Sequence, residues 1–284
     1  MRICAGVCVS VLLAGGLLGS TGQSPETSGD GADRGLSLVS KDNLLEYVRT
    51  LAGFESRHVF HSGNKKTEEY IAGQLEKCGY APKPDAFEAD GRTLNNVLAG
   101  SSDKERPVIL LTAHFDSTGG PGADDNASGV ATLLELARIV KEHPVQANVE
   151  FAFFNCEEGG AAGSRHLSNE YRDQHWPIDY VINVDTIGTW KGPLSDACPV
   201  NYVADPNSEE AIKRFAERFP YPLRKAKTMW RDDHARFWDN GFKAVEITED
   251  GCTPHMHRPT DTPERLDYDN IARIVHGLYA VLSK

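Results

Sequence analysis

The sequence predicts an α/β fold: a single domain in which a mixed, mostly parallel β-sheet lies between helices. Apolar segments of strand length alternate along the chain with segments that carry apolar residues at helical spacing. The apolar segments are rich in Val, Ile, Leu and Phe at nearly every position, which is typical of parallel strands buried on both faces. A length of 284 residues suits one large domain or two small ones and does not decide between them.

The chain begins with a predicted secretory signal peptide, residues 1–22. One arginine precedes a run of apolar and small residues, and a polar stretch follows. The apolar run is short for a membrane span, which needs about 20 residues; an uncleaved anchor is the alternative. Residues 23–38 are predicted to be a flexible linker, and residues 39–284 the folded domain. We therefore expect a secreted or periplasmic protein that is not stably bound to a membrane once the signal is cleaved.

Helices and strands are then predicted in a regular order. Helical spacing of apolar residues predicts helices over 40–56, 64–78, 126–142, 207–219, 230–240 and 267–282. Apolar segments of strand length cover 94–100, 107–116, 148–158, 179–188 and 243–250. No internal repeat interrupts this order.

Charge and cysteine content narrow the range of functions. The formal net charge is −11 and no block of Lys and Arg stands out, so we expect neither a nucleic-acid partner nor an anionic membrane surface. Export would permit disulfides among Cys78, Cys156, Cys198 and Cys252, but spacing does not determine their pairing.

Histidine and acidic residues collect where the apolar strands stop. His114 and Asp116 follow "VILLTA", the pair Glu157 and Glu158 follows "FAFFNC", and Asp185 follows "VINV". Ligands of open α/β sheets bind at the carboxyl ends of the strands, so these side chains are expected to share one edge. Nitrogen and oxygen donors in this combination suit zinc. The sequence predicts a metal site there.

Two of these segments also have simpler interpretations. Asp116 lies two residues after His114, so it can reach the far ring nitrogen of a metal-bound histidine or form an ordinary hydrogen-bonded pair. Asp124 and Asp125, in "GADDNASG", stand at a predicted helix start, where carboxylates are often only helix caps.

The two adjacent glutamates are harder to explain without a metal. Adjacent side chains diverge as a strand ends, so one carboxylate can face the metal while its neighbour faces a metal-bound water. Zinc lowers the pKa of such a water to about 7, and a neighbouring carboxylate can take its proton. "PHMHRPTDT" adds His255 and His257, which gives more donors than one tetrahedral ion needs. An aspartate shared by two ions about 3.5–4 Å apart would account for the number.

Six segments, in order, resemble peptidase family M28, a family of zinc aminopeptidases. They are "AHFDS", "GPGADDNASGVATLLELAR", "FFNCEEGGAAGSRHLS", "INVDTIG", "DDHARFWDNGFKAVEI" and "HRPTDTPERLDYD", and the resemblance extends over roughly residues 40–284. It implies the same fold, two Zn²⁺ ions per chain and a peptide substrate with a free N-terminus. No inserted domain is visible, which favours a monomer.

The resemblance also implies a role for individual residues. His114 and Asp185 would hold one Zn²⁺, Glu158 and His257 the other, and Asp125 would bridge them. Glu157 would be the general base, and Asp116 the carboxylate behind His114. The family often has a cis peptide between the residues at positions 124 and 125. Asp233 and His234 match a recurring segment of the family whose residues would contact the ligands without binding the metal. His255 has no matching role. Cys156 stands where family members often have a small residue.

Two alternative functions remain. A glutaminyl cyclase is a single-zinc acyl transferase on the same scaffold, and "VDTIG" is compatible with it, although "GADDNASG" and "HRPTDTP" look like the peptidase versions. A non-catalytic ectodomain would also keep the fold, but the intact Glu157 and the full ligand set argue against it. The sequence does not identify the preferred N-terminal residue.

Overall fold

A computed structural model describes residues 35–54, 56–100, 103–191, 201–204, 206–226, 231–249 and 254–283. The predicted signal peptide, Cys198 and Cys252 lie outside these residues. Leu36 and Leu38, which fall in the predicted linker, pack against the hydrophobic core. Cys78 and Cys156 are free thiols. No helix among the described residues is long and apolar enough to cross a membrane.

The described residues form one eight-stranded mixed sheet with helices on both faces, so the predicted fold class is confirmed. The helices are α1 (Lys41–Ala52), α2 (Ser62–Lys77), α3 (Gly129–Glu142), α4 (Ala162–Asp173), α5 (Glu209–Arg218), α6 (Asp233–Asp239) and α7 (Tyr268–Leu282). The strands are β1 (Lys83–Ala89), β2 (Arg92–Gly100), β3 (Val108–His114), β4 (Asn148–Phe154), β5 (Ile178–Val184), β6 (Asn201–Val203), β7 (Arg224–Lys225) and β8 (Ala244–Thr248).

The sheet has the strand order β1-β2-β4-β3-β5-β8-β6-β7. The central strands β4, β3, β5 and β8 are parallel, and β1 and β2 pair with their neighbours in the antiparallel sense. β6 is antiparallel to β8 and parallel to β7. All residues of β3 and β4 are buried, as expected for strands covered on both faces. The carboxyl ends of four parallel strands therefore meet at one edge, and β2 begins at that same edge.

Two hydrophobic cores lie on opposite faces of the sheet. The larger core packs α1, α2, α3, α5 and α7 against one face through residues such as Leu111, Phe151 and Ile182. The smaller core packs α4 and α6 against the other face through Leu167 and Phe237. At about 25 cal/mol per Å² of apolar surface removed from water, this burial is the main force that holds the layers together.

Every predicted helix and strand is present, with shifted ends, but four elements were not predicted. β1 and α4 are rich in charged and polar residues, and β6 and β7 are only three and two residues long. The helix predicted over 126–142 begins as α3 at Gly129, because residues 123–128 form a π-helical turn in which Asp125 and Asn126 leave helical backbone angles. The cis peptide joins Asp125 to Asn126, so the position expected from the family, 124–125, is wrong by one residue.

Candidate metal centre

His114, Asp125 and Asp185 form the first of two groups of potential ligands. His114 ends β3, and Asp185 follows β5, the neighbouring parallel strand. The Nε2 atom of His114 lies 3.2 Å from Oδ1 of Asp125 and 3.4 Å from Oδ2 of Asp185. All three side chains are buried, and one atom from each lies within 4.8 Å of the others.

Asp125, Glu158 and His257 form the second group. The Nε2 atom of His257 lies 3.0 Å from Oδ2 of Asp125 and 2.9 Å from Oε2 of Glu158. The other oxygen of Glu158 accepts a hydrogen bond from the backbone of Thr118 at 3.2 Å. The two oxygens of Asp125 thus face two different histidines, so this carboxylate lies between the two groups.

Asp116 organises the backbone that carries the two glutamates. Its Oδ1 accepts a hydrogen bond from the amide of Glu157 at 3.0 Å, and its Oδ2 accepts one from the amide of Glu158 at 3.2 Å. The Nδ1 atom of His114 lies 3.2 Å from the backbone carbonyl oxygen of Asp116 and 3.6 Å from its carboxylate. Asp116 therefore lies beside the Nδ1 atom of His114, and its carboxylate fixes the turn formed by Glu157 and Glu158, which we name the glutamate turn.

Glu157 lies outside both groups of ligands but within the field of their charges. Burial, opposed by His114 and assisted by the carboxylates of Asp233, Asp185 and Asp116, raises its pKa to about 10. Burial also raises the pKa of Glu158 to about 7 and that of Asp233 to about 7. Such a crowd of buried carboxylates needs a compensating positive charge.

The residues present fit a pair of divalent cations. Asp125 has its pKa lowered by hydrogen bonds from His114 and His257, against the effect of burial. The Oδ1 atom of Asp185 is buried and has no hydrogen-bond partner among the described residues. Two imidazoles and three carboxylates arranged around a shared aspartate are donors that zinc accepts, and a cation would compensate the buried negative charge.

The loop that carries Asp125 is held by residues far away in the sequence. Asp261 accepts hydrogen bonds from the amides of Asp124 and Asp125 at 2.9 and 3.2 Å. The side chain of Asp124 accepts hydrogen bonds from the amide of Gly188 and the hydroxyl of Thr189 at 2.8 and 2.6 Å. Asp124 thus ties the loop to the segment after Asp185 instead of contributing to the ligand groups.

Arg57 holds the same loop from the other side. Its fully buried guanidinium donates hydrogen bonds to the backbone carbonyls of Phe115 at 2.8 Å, of Gly122 at 2.9 Å and of Pro121. Burial lowers the pKa of Arg57 to about 10, although the carboxylates of Asp125 and Asp116 oppose this. Arg57 remains positively charged at neutral pH.

A close approach between two loops places His257. Gly119 has a φ of 69°, and a Cβ at this position would lie 2.2 Å from the carbonyl oxygen of His257. Only glycine fits both the backbone angle and the space. His257 itself has a left-handed φ of 57°, and half of its side chain is exposed, so this ligand stands at the rim of the site.

Other predicted residues lie beside the site. His255 is outside both groups, and its ring contacts the hydroxyl of Thr260 at 2.9 Å. His234 is buried and forms an ion pair with Glu246 on β8, next to Asp233 at the start of α6. Sequence analysis did not identify the positioning roles of Arg57 and Asp261. Arg57 lies in a polar loop whose residues show no periodic pattern. At Asp261 the sequence offers no signal beyond the acidic residue of "PTDT" itself.

Comparison with known proteins identifies the family. The sequence profile of peptidase family M28 matches residues 96–282, well over half of the chain and all five potential ligands. The chain belongs to peptidase family M28. It is therefore a peptidase, and its substrates are peptides.

Individual proteins are similar to this M28 peptidase in sequence or in structure. Leucine aminopeptidase 1 of Arthroderma otae is 24% identical over 288 residues, which cover 90% of this chain and 77% of the relative. The structure of the Legionella pneumophila LapA aminopeptidase has a TM-score of 0.76 at 18% identity, covering 94% of this chain and 79% of the other. A Bacteroides thetaiotaomicron glutaminyl cyclase has a TM-score of 0.73 at 20% identity, covering 87% and 98%. At these identities the structures show a shared fold.

Proposed function

We propose that this M28 peptidase is a zinc-dependent aminopeptidase that hydrolyses the N-terminal peptide bond of its substrates. The observation that carries the proposal is the position of Asp125, whose two oxygens face His114 and His257 in two separate ligand groups. A bridging carboxylate of this kind is typical of two-metal hydrolases. His114 and Asp185 would hold one Zn²⁺, and Glu158 and His257 the other.

Zinc, when bound, supplies a Lewis acid that polarises the scissile carbonyl and acidifies the attacking water. Glu157 is the general base, and two bound cations would favour its ionised form. Its carboxylate takes a proton from the water as the oxygen attacks the carbonyl carbon. The same proton passes to the leaving nitrogen as the C–N bond breaks, which gives a free amino acid and a shortened peptide. A general base of this kind contributes roughly 10²–10⁴ to the rate. Asp116 keeps Glu157 in place through its backbone amide.

The buried carboxylates also account for a requirement for a free N-terminus. A protonated α-amine carries one positive charge, and it enters a site where Asp185 and Asp233 are buried and Glu157 is partly buried. Pairing the amine with these carboxylates would fix the first peptide bond beside Glu157, so catalysis would depend on positioning. The predicted signal peptide, residues 1–22, would direct the enzyme out of the cytoplasm, and we propose that the enzyme acts as a monomer.

Three peptides test the proposal: one with a free N-terminal leucine, its acetylated copy, and one with an N-terminal glutamine. We expect leucine to be released from the first peptide and not from the second. Equal cleavage of the acetylated copy would refute recognition of the amine. Formation of pyroglutamate from the third peptide, with the leucine peptide left intact, would identify a glutaminyl cyclase instead.

A further inference from the structure

An open groove of about 610 Å³ lies at the same edge of the sheet as the candidate metal centre. We name it the Phe60 groove; it is lined by residues 59–62, 64, 65, 68 and 92–95. Arg92, Thr93 and Leu94 begin β2, which is antiparallel to β4. The start of β2 therefore stands next to the end of β4, where the glutamate turn follows.

The wall of the groove is packed against the turn that carries Glu157. Val59 and Leu94, which line the groove, belong to one small hydrophobic core with Cys156, the residue before Glu157. The side-chain amide of Asn64 donates to the side-chain oxygen of Asn155 at 2.8 Å and accepts from its amide at 3.0 Å. The groove and the general base are thus parts of one packed unit.

The groove offers an aromatic ring and a positive charge to solvent. Phe60 is 51% exposed, an unusual exposure for a phenylalanine, and the guanidinium of Arg92 lies 4.6 Å from the centre of its ring. Lys65 is paired with Glu68 at 2.7 Å. Within the described part of the chain, Arg92 has no carboxylate at ion-pair distance, although the chain as a whole has a net charge of −11.

We propose that the Phe60 groove binds the residues of the substrate that follow the scissile bond and favours a carboxylate among them. The proposal rests on the proposed aminopeptidase function. An aminopeptidase has only one substrate residue on the amino side of the scissile bond. The Phe60 groove, whose wall packs against the turn that carries the general base, is therefore assigned to the leaving peptide. An apolar side chain of this peptide packs on Phe60, and an acidic side chain or the terminal carboxylate pairs with Arg92.

The test compares a substrate without a leaving peptide with substrates that have one. Leucine p-nitroanilide is the substrate without a leaving peptide. The substrates with a leaving peptide are leucine peptides that have a single Glu or Lys at the second, third or fourth position. Arg92→Glu is matched by Arg106→Glu, an exposed arginine before β3, at the opposite edge of the sheet. Phe60→Ser tests the aromatic contact.

We expect the wild type to have a higher kcat/KM for Glu peptides than for Lys peptides at one or more of these positions. Arg92→Glu should reverse that preference by roughly 2- to 20-fold, since exposed ion pairs are individually weak. Phe60→Ser should raise the KM for peptides. Both variants should hydrolyse the anilide within 2-fold of wild type, roughly the effect expected of a surface substitution, and Arg106→Glu should leave all substrates unchanged.

Three results would overturn the role of the groove: no charge preference in the wild type, equal effects of Arg92→Glu and Arg106→Glu, or a parallel loss of anilide hydrolysis in the Arg92 variant. Failure of the wild type to hydrolyse the anilide and every leucine peptide would refute the proposed aminopeptidase function itself, and the groove proposal with it. Failure of the groove alone leaves anilide hydrolysis intact, so the two failures are distinguishable.

Discussion

Arg57 should be essential for the stability of the loop that carries Asp125, although it belongs to neither group of potential ligands. Its guanidinium donates hydrogen bonds to three backbone carbonyls, and it is completely buried. In Arg57→Met the carbonyls of Phe115 and Pro121 lose their donor inside the protein, whereas the carbonyl of Gly122 keeps the amide of Ala127 at 3.1 Å. Each buried acceptor left without a partner costs about 1–3 kcal/mol, so the substitution should lower the free energy of unfolding by about 2–6 kcal/mol.

That loss reaches the lower end of the whole stability of a typical domain, about 5–15 kcal/mol. We therefore expect Arg57→Met to be partly unfolded without zinc and stabilised by added zinc, because a ligand that binds only the folded state stabilises it. Arg57→Lys keeps the charge but cannot span three carbonyls, so its stability should be intermediate. Urea denaturation, with and without zinc, measures these differences.

Arg165→Met is a suitable control for this experiment. Arg165 also donates to a backbone carbonyl, that of Gly160 at 2.7 Å, but it is exposed on α4. Its replacement should change the free energy of unfolding by less than about 0.5 kcal/mol. If Arg57→Met were within 1 kcal/mol of wild type, about the lower bound for a single orphaned acceptor, the argument from the orphaned carbonyls would be wrong.

Three further predictions follow from the site and from one buried glutamate. Glu157→Gln should retain both zinc ions and lose roughly 10²–10⁴ in kcat; loss of zinc in this variant would mean that Glu157 is a ligand. His257→Ala should weaken zinc binding and activity together, whereas His255→Ala should change neither, and full activity and zinc content in His257→Ala would refute the ligand assignment. Burial raises the pKa of Glu150 from 4.5 to about 7, so the folded chain retains a proton that the unfolded chain releases. The contribution of Glu150 to stability should therefore fall by up to about 3 kcal/mol as the pH rises from 4.5 to 7. Glu150→Gln should remove that part of the slope in urea denaturation across this pH range, and an unchanged slope would show that the pKa of Glu150 is not raised.

The ligand groups could be predicted from the sequence because they follow from the order of strands. Each strand-end ligand stands after a run of apolar residues, and parallel strands bring their carboxyl ends to one edge. His114 and Asp185 are placed in this way by β3 and β5. Asp125 and His257 come from loops, and their positions depended on the resemblance to M28 peptidases.

The positioning residues could not be predicted from a pattern. Arg57 binds backbone carbonyls 58 to 65 residues away, and a contact with a carbonyl places no requirement on the type of the partner residue. α4 was missed because most of its residues are polar and only one side of the helix is buried. The cis peptide lies between Asp125 and Asn126, where no local sequence signal marked it.

A zinc titration of the metal-free protein tests the central claim most directly. The protein is first treated with a chelator, and bound zinc and the release of leucine from a free-amine peptide are then measured in parallel. We expect no hydrolysis without zinc, two tightly bound zinc ions per chain at saturation, and full activity only when both are bound. Hydrolysis by the metal-free protein, or full activity at one zinc ion per chain with no second ion bound, would contradict the bridged pair at Asp125.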